Sequence, residues 1–373
     1  MEIVLHIGIA QSFFAGLMIV LKQKKILADH LLATWLWTVA FEMVLAYGAI
    51  YGFWKYYFPF VELAYGPIFF LYVSSIAGRY TKFKSKDLLH FIPVVIAAII
   101  STIFVDKGDE DVNLFLEIDA FLPFRLFLGC SLFLSIIIYF IKAARVIKTY
   151  QMNIGKVYSY TSENVSLNWL KKVATVLFAA YILIFIVANV QVLIPLKLDD
   201  IKVVIYVALT LISFMMSFFG FRQPELFIHS LKHDSAAQKV DSPLKYSSSG
   251  LKGDELNELA TKVKQYMDQA KPFLNGELTI YELSDQLSIS RHHLTQVLNS
   301  KVGMNFYHFV NSYRVIEAKK LLSDKKKSHL SIIGIGFEAG FNSKTTFNTF
   351  FKSHTGMTPS EYRKAQSVNL DIE

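Results

Sequence analysis

LTIYELSDQLSISRHHLTQVLNS (278–300) and HLSIIGIGFEAGFNSKTTFNTFFKS (329–353) are two copies of one pattern, set about 52 residues apart. Each holds a short apolar helix, a break of three or four residues, and a second helix opened by a serine. In the first copy Ile280, Leu283 and Leu287 share one face, Ser288-Ile289-Ser290 turns the chain, and Leu294, Val297 and Leu298 face inward from the second helix. In the second copy Ile332 and Ile335 take the first role, Gly340-Phe341-Asn342 turns, and Phe347, Phe350 and Phe351 face inward. Apolar residues recurring at intervals of three and four are the mark of amphipathic helices. The stretch between the copies, NFYHFVNSYRVIEAKKLL (305–322), reads as one long helix holding the two units at a fixed separation.

Short helix, turn, capped helix is the layout of a helix-turn-helix, whose second helix fits a DNA major groove. The residues left facing outward early in that helix are Arg291, His292, Thr295 and Gln296 in the first copy, and Lys344, Thr345, Asn348 and Thr349 in the second. Arg and Lys bond the acceptors of guanine, and Gln and Asn bond adenine, so these residue types suit the reading of base edges. Two rigidly joined units reach successive major-groove segments about 34 Å apart on one face of a duplex. A soluble domain over 254–373 opens with DELNELATKVKQYMDQA, an amphipathic helix whose inner face is Leu256, Leu259, Val263, Tyr266 and Met267.

Residues 278–364 resemble the AraC/XylS-type DNA-binding domain. The strings that carry the resemblance are LSISRHHLTQVLN, the helix with YRVIEAKKLL, IIGIGFEAGFNSKTTFNTFFK and the closing TGMTPSEYRK. The resemblance implies a sequence-specific transcription regulator with double-stranded DNA as its partner, no cofactor and no catalysis. The chain departs from the family at Ser284 and Gly336, where Ala is usual, and at Gln296 and Thr349, where Arg is frequent; the latter pair bears on the base contacts and not on the fold. The amino-terminal half is similar, less specifically, to the multi-span modules attached to such domains in some bacteria.

That half differs from the rest in composition. The whole chain of 373 residues is 53% hydrophobic and only 18% charged, with 32 Phe and 19 Tyr and a mean hydropathy of +0.37. A soluble domain averages about 25% charged, so disorder is excluded and lipid is the expected solvent of part of the chain. A helix crosses a bilayer with about 20 apolar residues. Seven stretches in 1–221 approach that length, with six as the alternative count because the fourth is short and only 54–57 parts the second from the third: 3–21, 31–53, 58–78, 88–105, 120–141, 173–194 and 201–221. The fold expected is all-α, a seven-helix transmembrane bundle followed by a cytoplasmic double helix-turn-helix domain, with 222–253 as a polar, Ser-rich linker.

Loops after the first, third and fifth stretches hold 13 Lys and Arg, and the alternate loops hold 4. Basic loops stay on the cytoplasmic side, which places the amino terminus outside and residues after 221 inside. Together with the resemblance to bacterial regulators, this implies a bacterial inner membrane as the expected location. Glu42, Glu62 and Arg125 fall inside expected spans; such groups face the bundle interior and find partners, and they form the candidate intramembrane signal site. Asn189 and Gln191 are expected to bond between helices, Gly48 and Gly52 to form a small-residue pair, and Pro67 to kink its helix. The acidic loop 106–119 lacks the spacing of a calcium site.

One cysteine, Cys130, excludes an intrachain disulfide and a Cys-based zinc site. His292 and His293 diverge by about 100° on a helix, so no metal pair is expected. Lys325-Lys326-Lys327 reads as a solvated loop. The chain has no Walker motif, HExxH, GxSxG or kinase signature. Residues 251–373 carry 16 Lys and Arg against 13 Asp and Glu, so the repeat and not the charge points to DNA. Further expected partners are the bilayer, a second copy in a homodimer, RNA polymerase, and a small-molecule or envelope signal. The alternative from another class is a transporter or receptor whose helical tail binds a protein.

Overall fold

A computed structural model describes residues 1–53, 59–105, 122–161, 165–190, 198–221 and 253–370. Every regular element among them is helical. The chain divides into two compact units. The first is Met1–Thr149 with Leu167–Leu231; the second is Tyr150–Ser166 with Lys232–Glu373. Of the expected linker 222–253, residues 222–252 lie outside the described residues, as does the acidic loop 106–119; Gly253 already opens a helix.

The first unit contains α1 (Glu2–Val20), α2 (Leu27–Ile50), α3 (Tyr65–Ile76), α4 (Ile92–Val105), most of α5 (Leu122–Asn153), α6 (Asn168–Val190) and α7 (Leu198–Phe221). Four described segments are long and apolar enough to cross a membrane, rather than seven: Glu2–Val20, Leu27–Ile50, Phe127–Lys156 and Val203–Phe221. The third and fourth expected spans fall short because their first turns are 3-10. Pro59–Ala64 precedes the 12 residues of α3, and Ser85–Phe91 precedes the 14 of α4. The sixth, α6, runs into residues whose side chains lie outside the description.

Helices α1, α2 and α7 pack together with polar pairs between them. Ser12 Oγ and Ser213 Oγ are 2.7 Å apart, and Gln11 Nε2 donates to Ser217 Oγ at 2.9 Å. Side-chain bonds of this kind join helices where apolar burial alone does not discriminate partners. Glu42 is buried on α2 and accepts a hydrogen bond from Tyr65 Oη. Glu62 stands in the 3-10 turn before α3, and the side chain of Arg125 lies outside the described residues, as do those of Asn189 and Gln191. Pro67 is the third residue of α3, in the first turn where a missing N–H costs no bond, so it marks a helix start and not a kink. Gly52 lies beyond the end of α2 with φ +75°, so it does not share a helix face with Gly48.

The second unit contains α8 (Gly253–Ala270), α9 (Ile280–Leu287), α10 (Arg291–Val297), α11 (Phe306–Ser323), α12 (Ile332–Glu338), α13 (Lys344–Thr355) and α14 (Pro359–Leu370). It has two cores. Val263, Met267, Leu278, Ile280, Leu283, Leu287, Leu294 and Leu298 close the first around Phe306, Phe309 and Val310 of α11. Ile335, Ala339, Phe341, Phe347 and Phe351 close the second around Val315, Ala318 and Leu322 of the same helix. A single helix therefore supplies its first turns to one core and its later turns to the other. Of the inner faces expected from sequence, Leu259, Tyr266, Ile332 and Phe350 are half-buried; the remainder are buried.

Residues 150–166, expected to be a loop of the membrane half, belong to this second unit. Tyr158 forms an isolated antiparallel bridge with Thr279, Ile280 N donates to Val157 O at 2.9 Å, and Ser159 N donates to Leu278 O at 3.2 Å. Tyr158, Ser159 and Tyr160 are buried, and burial of the Tyr160 phenol raises its pKa. The composition of this stretch, YSY between charged residues, carries no periodicity that reveals its docking.

Candidate nucleic-acid interface

Each unit is built by local chemistry that the sequence spells out. Thr279 caps α9 in a reciprocal box: its Oγ1 accepts from Glu282 N at 3.2 Å, and its own N–H bonds Glu282 Oε2 at 2.8 Å. Ser290 Oγ accepts from His293 N at 3.1 Å and starts α10; Ser343 Oγ accepts from Thr346 N at 3.4 Å and starts α13. Each such cap is worth about 1 kcal/mol and fixes where the recognition helix begins. Between α9 and α10 the chain turns over 288–290, with Ser288 at φ +53°. Between α12 and α13 it turns over 339–343, with Gly340 at φ +92°. The second turn is the longer of the two.

Gly340 is required by more than its dihedral angle. A Cβ there would lie 2.2 Å from Phe273 O, so the turn of the second unit presses directly on the backbone that precedes the first. Gly336 has a different role: a Cβ would stand 2.6 Å from the Phe347 ring, so the absence of a side chain lets α12 and α13 approach closely. That explains one departure from the AraC/XylS pattern. At the other, Ser284 is buried and its Oγ donates to Tyr281 O at 2.8 Å, which satisfies the hydroxyl inside its own helix.

The expected base-reading residues divide into two groups. Arg291 and His292 are exposed at the start of α10, and Lys344, Thr345 and Thr349 are exposed on α13. Thr295, Gln296 and Asn348 are half-buried. Arg291 is already engaged: Nη1 donates to Tyr281 Oη at 2.6 Å and the guanidinium lies 5.2 Å from the Tyr281 ring. Thr295 Oγ1 donates back to Arg291 O at 2.8 Å, which directs it along the helix. Gln296 Oε1 is buried without a hydrogen-bond partner among the described residues, so its amide is turned partly into the domain. The second recognition helix thus presents more unengaged polar surface than the first. Of the lysine run, Lys327 is paired with Glu338 at 2.8 Å.

Sequence reasoning missed the junction between the units. Asn311 and Arg314 lie on α11 between its two apolar groups, and both are buried. Arg314 Nε donates to Phe273 O at 2.8 Å, Nη1 to Ser159 O at 2.8 Å and Asn311 Oδ1 at 3.1 Å, and Nη2 to Asn275 O at 2.7 Å and Ser159 Oγ at 3.0 Å. Burial pulls its pKa down to about 10, which leaves the guanidinium charged at neutral pH. The available signal was a lone Arg on the apolar side of a helix.

The helix-turn-helix domain description among protein families matches residues 283–365. A stretch of 102 residues, 27% of this chain, is 32% identical to an uncharacterized HTH-type transcriptional regulator of Staphylococcus aureus (strain COL) and spans 13% of that protein. Over 113 residues the chain is 26% identical to the Msm operon regulatory protein of Streptococcus mutans serotype c, covering 29% of this chain and 40% of that one. The chain therefore matches well under half the length of these relatives. Among solved structures, the C-terminal domain of AraT, a response regulator from Geobacillus stearothermophilus, matches 28% of this chain and 84% of its own length at 26% identity, with a TM-score of 0.25. With two capped helix-turn-helix units on one shared helix, the carboxyl-terminal part of the chain is an AraC-type helix-turn-helix domain, as found in transcriptional regulators.

Proposed function

We propose that the protein is a membrane-embedded one-component transcription regulator, in which apolar helices anchor and sense while the double helix-turn-helix domain binds promoter DNA. The observation that carries this reading is the pair of serine-capped helices α10 and α13, each opening with an exposed basic residue, held on one rigid helix. Base contacts are assigned to Lys344, Thr345 and Thr349, with Arg291, His292, Thr295, Gln296 and Asn348 contributing once their present partners or burial are released.

Membrane residence is supported by four apolar segments whose side chains remain exposed along much of their length. Ile3, Phe13, Phe14, Leu211 and Phe218 are each more than half exposed. Patches of that extent on a soluble protein would drive association. The basic-loop asymmetry favours an outside amino terminus and a cytoplasmic DNA-binding domain. Glu42 with Glu62 and Arg125 remains the proposed signal site, a homodimer is the proposed state on DNA, and RNA polymerase is a proposed partner.

The test is retardation of promoter DNA from upstream of the protein's own gene by full-length protein in lipid nanodiscs. Saturable, sequence-dependent retardation supports the regulator. Equal retardation of all duplexes, or none at low salt, favours the rival in which the helical tail binds a protein.

A further inference from the structure

Helix α11 enters the first core with Phe306, Phe309 and Val310 and the second with Val315, Ala318 and Leu322. The polar pair Asn311 and Arg314 occupies the interval, so whatever grips Arg314 controls how one core sits on the other. A guanidinium has five N–H donors. All five bonds described above are made, and two of them end on one residue, Ser159, contributed by the segment 150–166. Two more end on the backbone of Phe273 and Asn275, the loop on which Gly340 of the second turn presses. The Phe341 ring of that turn lies 6.0 Å from the guanidinium. Four chain segments thus meet at one side chain.

No carboxylate takes part in these bonds. A buried charge held by carbonyls and hydroxyls is expensive, and apolar replacements of buried charges are often as stable, so its use is in fixing one arrangement. The bonds that dock the segment 150–166 include an isolated bridge, Ser159 Oγ donating to Leu278 O at 2.6 Å, and Asn311 Nδ2 donating to Ser159 O at 2.9 Å. It also reaches the second recognition helix, where Thr161 Oγ1 and Thr346 Oγ1 are 3.4 Å apart. In sequence it runs from the last turn of α5 to just before α6.

We infer that Ser159 and Arg314 are positioning residues for DNA recognition, and that the segment 150–166 sets the mutual orientation of the two helix-turn-helix units. This rests on the DNA-binding reading above. When α5 or α6 withdraws the segment, Arg314 loses two acceptors, the two recognition helices lose their common frame, and the protein binds as two independent single units. A signal received by the apolar helices therefore reaches DNA through a strap built into the binding domain, in addition to the linker 222–253.

The experiment compares full-length wild type and Ser159→Trp in nanodiscs. The probes are duplexes enriched by wild type from a random-sequence pool, and the same duplexes cut back to one major-groove segment. For Ser159→Trp, affinity for the long duplex is expected to fall at least tenfold towards that for the short one, which changes less than twofold. The hydroxyl-radical footprint shortens, and the slope of log affinity against log salt falls by about half. The inference is overturned if the variant, with a wild-type melting transition, loses affinity for both duplexes alike or for neither. If that transition is lost, the cysteine pair Thr161→Cys/Thr346→Cys, with Cys130→Ser, decides. A disulfide forming in intact membranes and preserving the long-duplex preference supports the inference, and no disulfide, or one that erases the preference, overturns it. Should wild type select no duplex, the DNA reading fails while cross-linking still reports on the strap.

Discussion

Lys344 and Arg291 occupy equivalent places in the repeat, yet their surroundings differ. Lys344 is exposed at the first position of α13, whereas Arg291 is bonded to the Tyr281 hydroxyl. Lys344→Ala is therefore expected to weaken specific binding by about 1–3 kcal/mol and to relax discrimination at one position, measured by titrating matched and singly mismatched duplexes. Arg291→Ala is expected to cost less discrimination than Lys344→Ala, because its guanidinium must leave the Tyr281 hydroxyl before it reaches a base. A second residue-level expectation concerns Glu361. Its carboxylate accepts from Thr358 N at 2.8 Å and caps α14, and this bond holds its pKa below the ordinary carboxylate range. A folded-state pKa below the unfolded value gives stabilisation that is present above the unfolded value and fades as pH falls through the folded one. The melting difference between wild type and Glu361→Gln should accordingly be present at pH 7 and disappear on acidification below about pH 4.

At the scale of elements, Gly336 and Gly340 show how two helices and a turn are brought within contact distance. Gly336→Ala places a methyl against the buried Phe347 ring, and overpacking of this kind costs about 1–3 kcal/mol. The expected result is a lower denaturation midpoint, and a midpoint equal to wild type would mean that α12 and α13 part without penalty. Much at this scale was legible in the sequence. The periodic apolar positions, the serine caps and the Gly-Phe turn are local signals, and they placed α9 to α13 and both cores. What was not legible came from longer range. The third and fourth apolar stretches begin as 3-10 turns because composition fixes hydrophobicity and not helix type. Gln296 read as outward-facing from its spacing, but it is half-buried and its Oε1 is turned into the domain. Tyr158-Ser159-Tyr160 gave no sign of docking, because its partners are backbone carbonyls and a distant Arg, which leave no pattern in the segment itself.

For the whole molecule, the boundary between units matters more than the number of spans. A fragment beginning after the linker, 251–373, contains both recognition helices but lacks Ser159, so Arg314 and the Leu278–Ile280 edge lose partners that the full chain supplies. Leaving buried groups unsatisfied costs about 1–3 kcal/mol each. The fragment is expected to melt lower than the same fragment mixed with a synthetic 150–166 peptide. A peptide that leaves the transition unmoved at saturating concentration would count against the strap as part of the domain. Fractionation addresses the other unit: full-length protein should remain with membranes after carbonate washing, and release into the supernatant would count against the bilayer reading.

Ser159 and Arg314 are bonded across a sequence separation of 155 residues. A ribosome therefore delivers the acceptor well before its donor, with α6 and α7 emerging in between. Translation proceeds at about 5–20 residues per second, so the Tyr-Ser-Tyr stretch waits many seconds without its counterpart. During that interval its aromatic side chains are open to chaperones and to proteases, and the carboxyl-terminal unit closes only after residue 314 has left the exit tunnel. Contacts of such high order also slow folding. Synthesis thus imposes a sequence of events in which the apolar helices emerge before the helix-turn-helix unit can assemble.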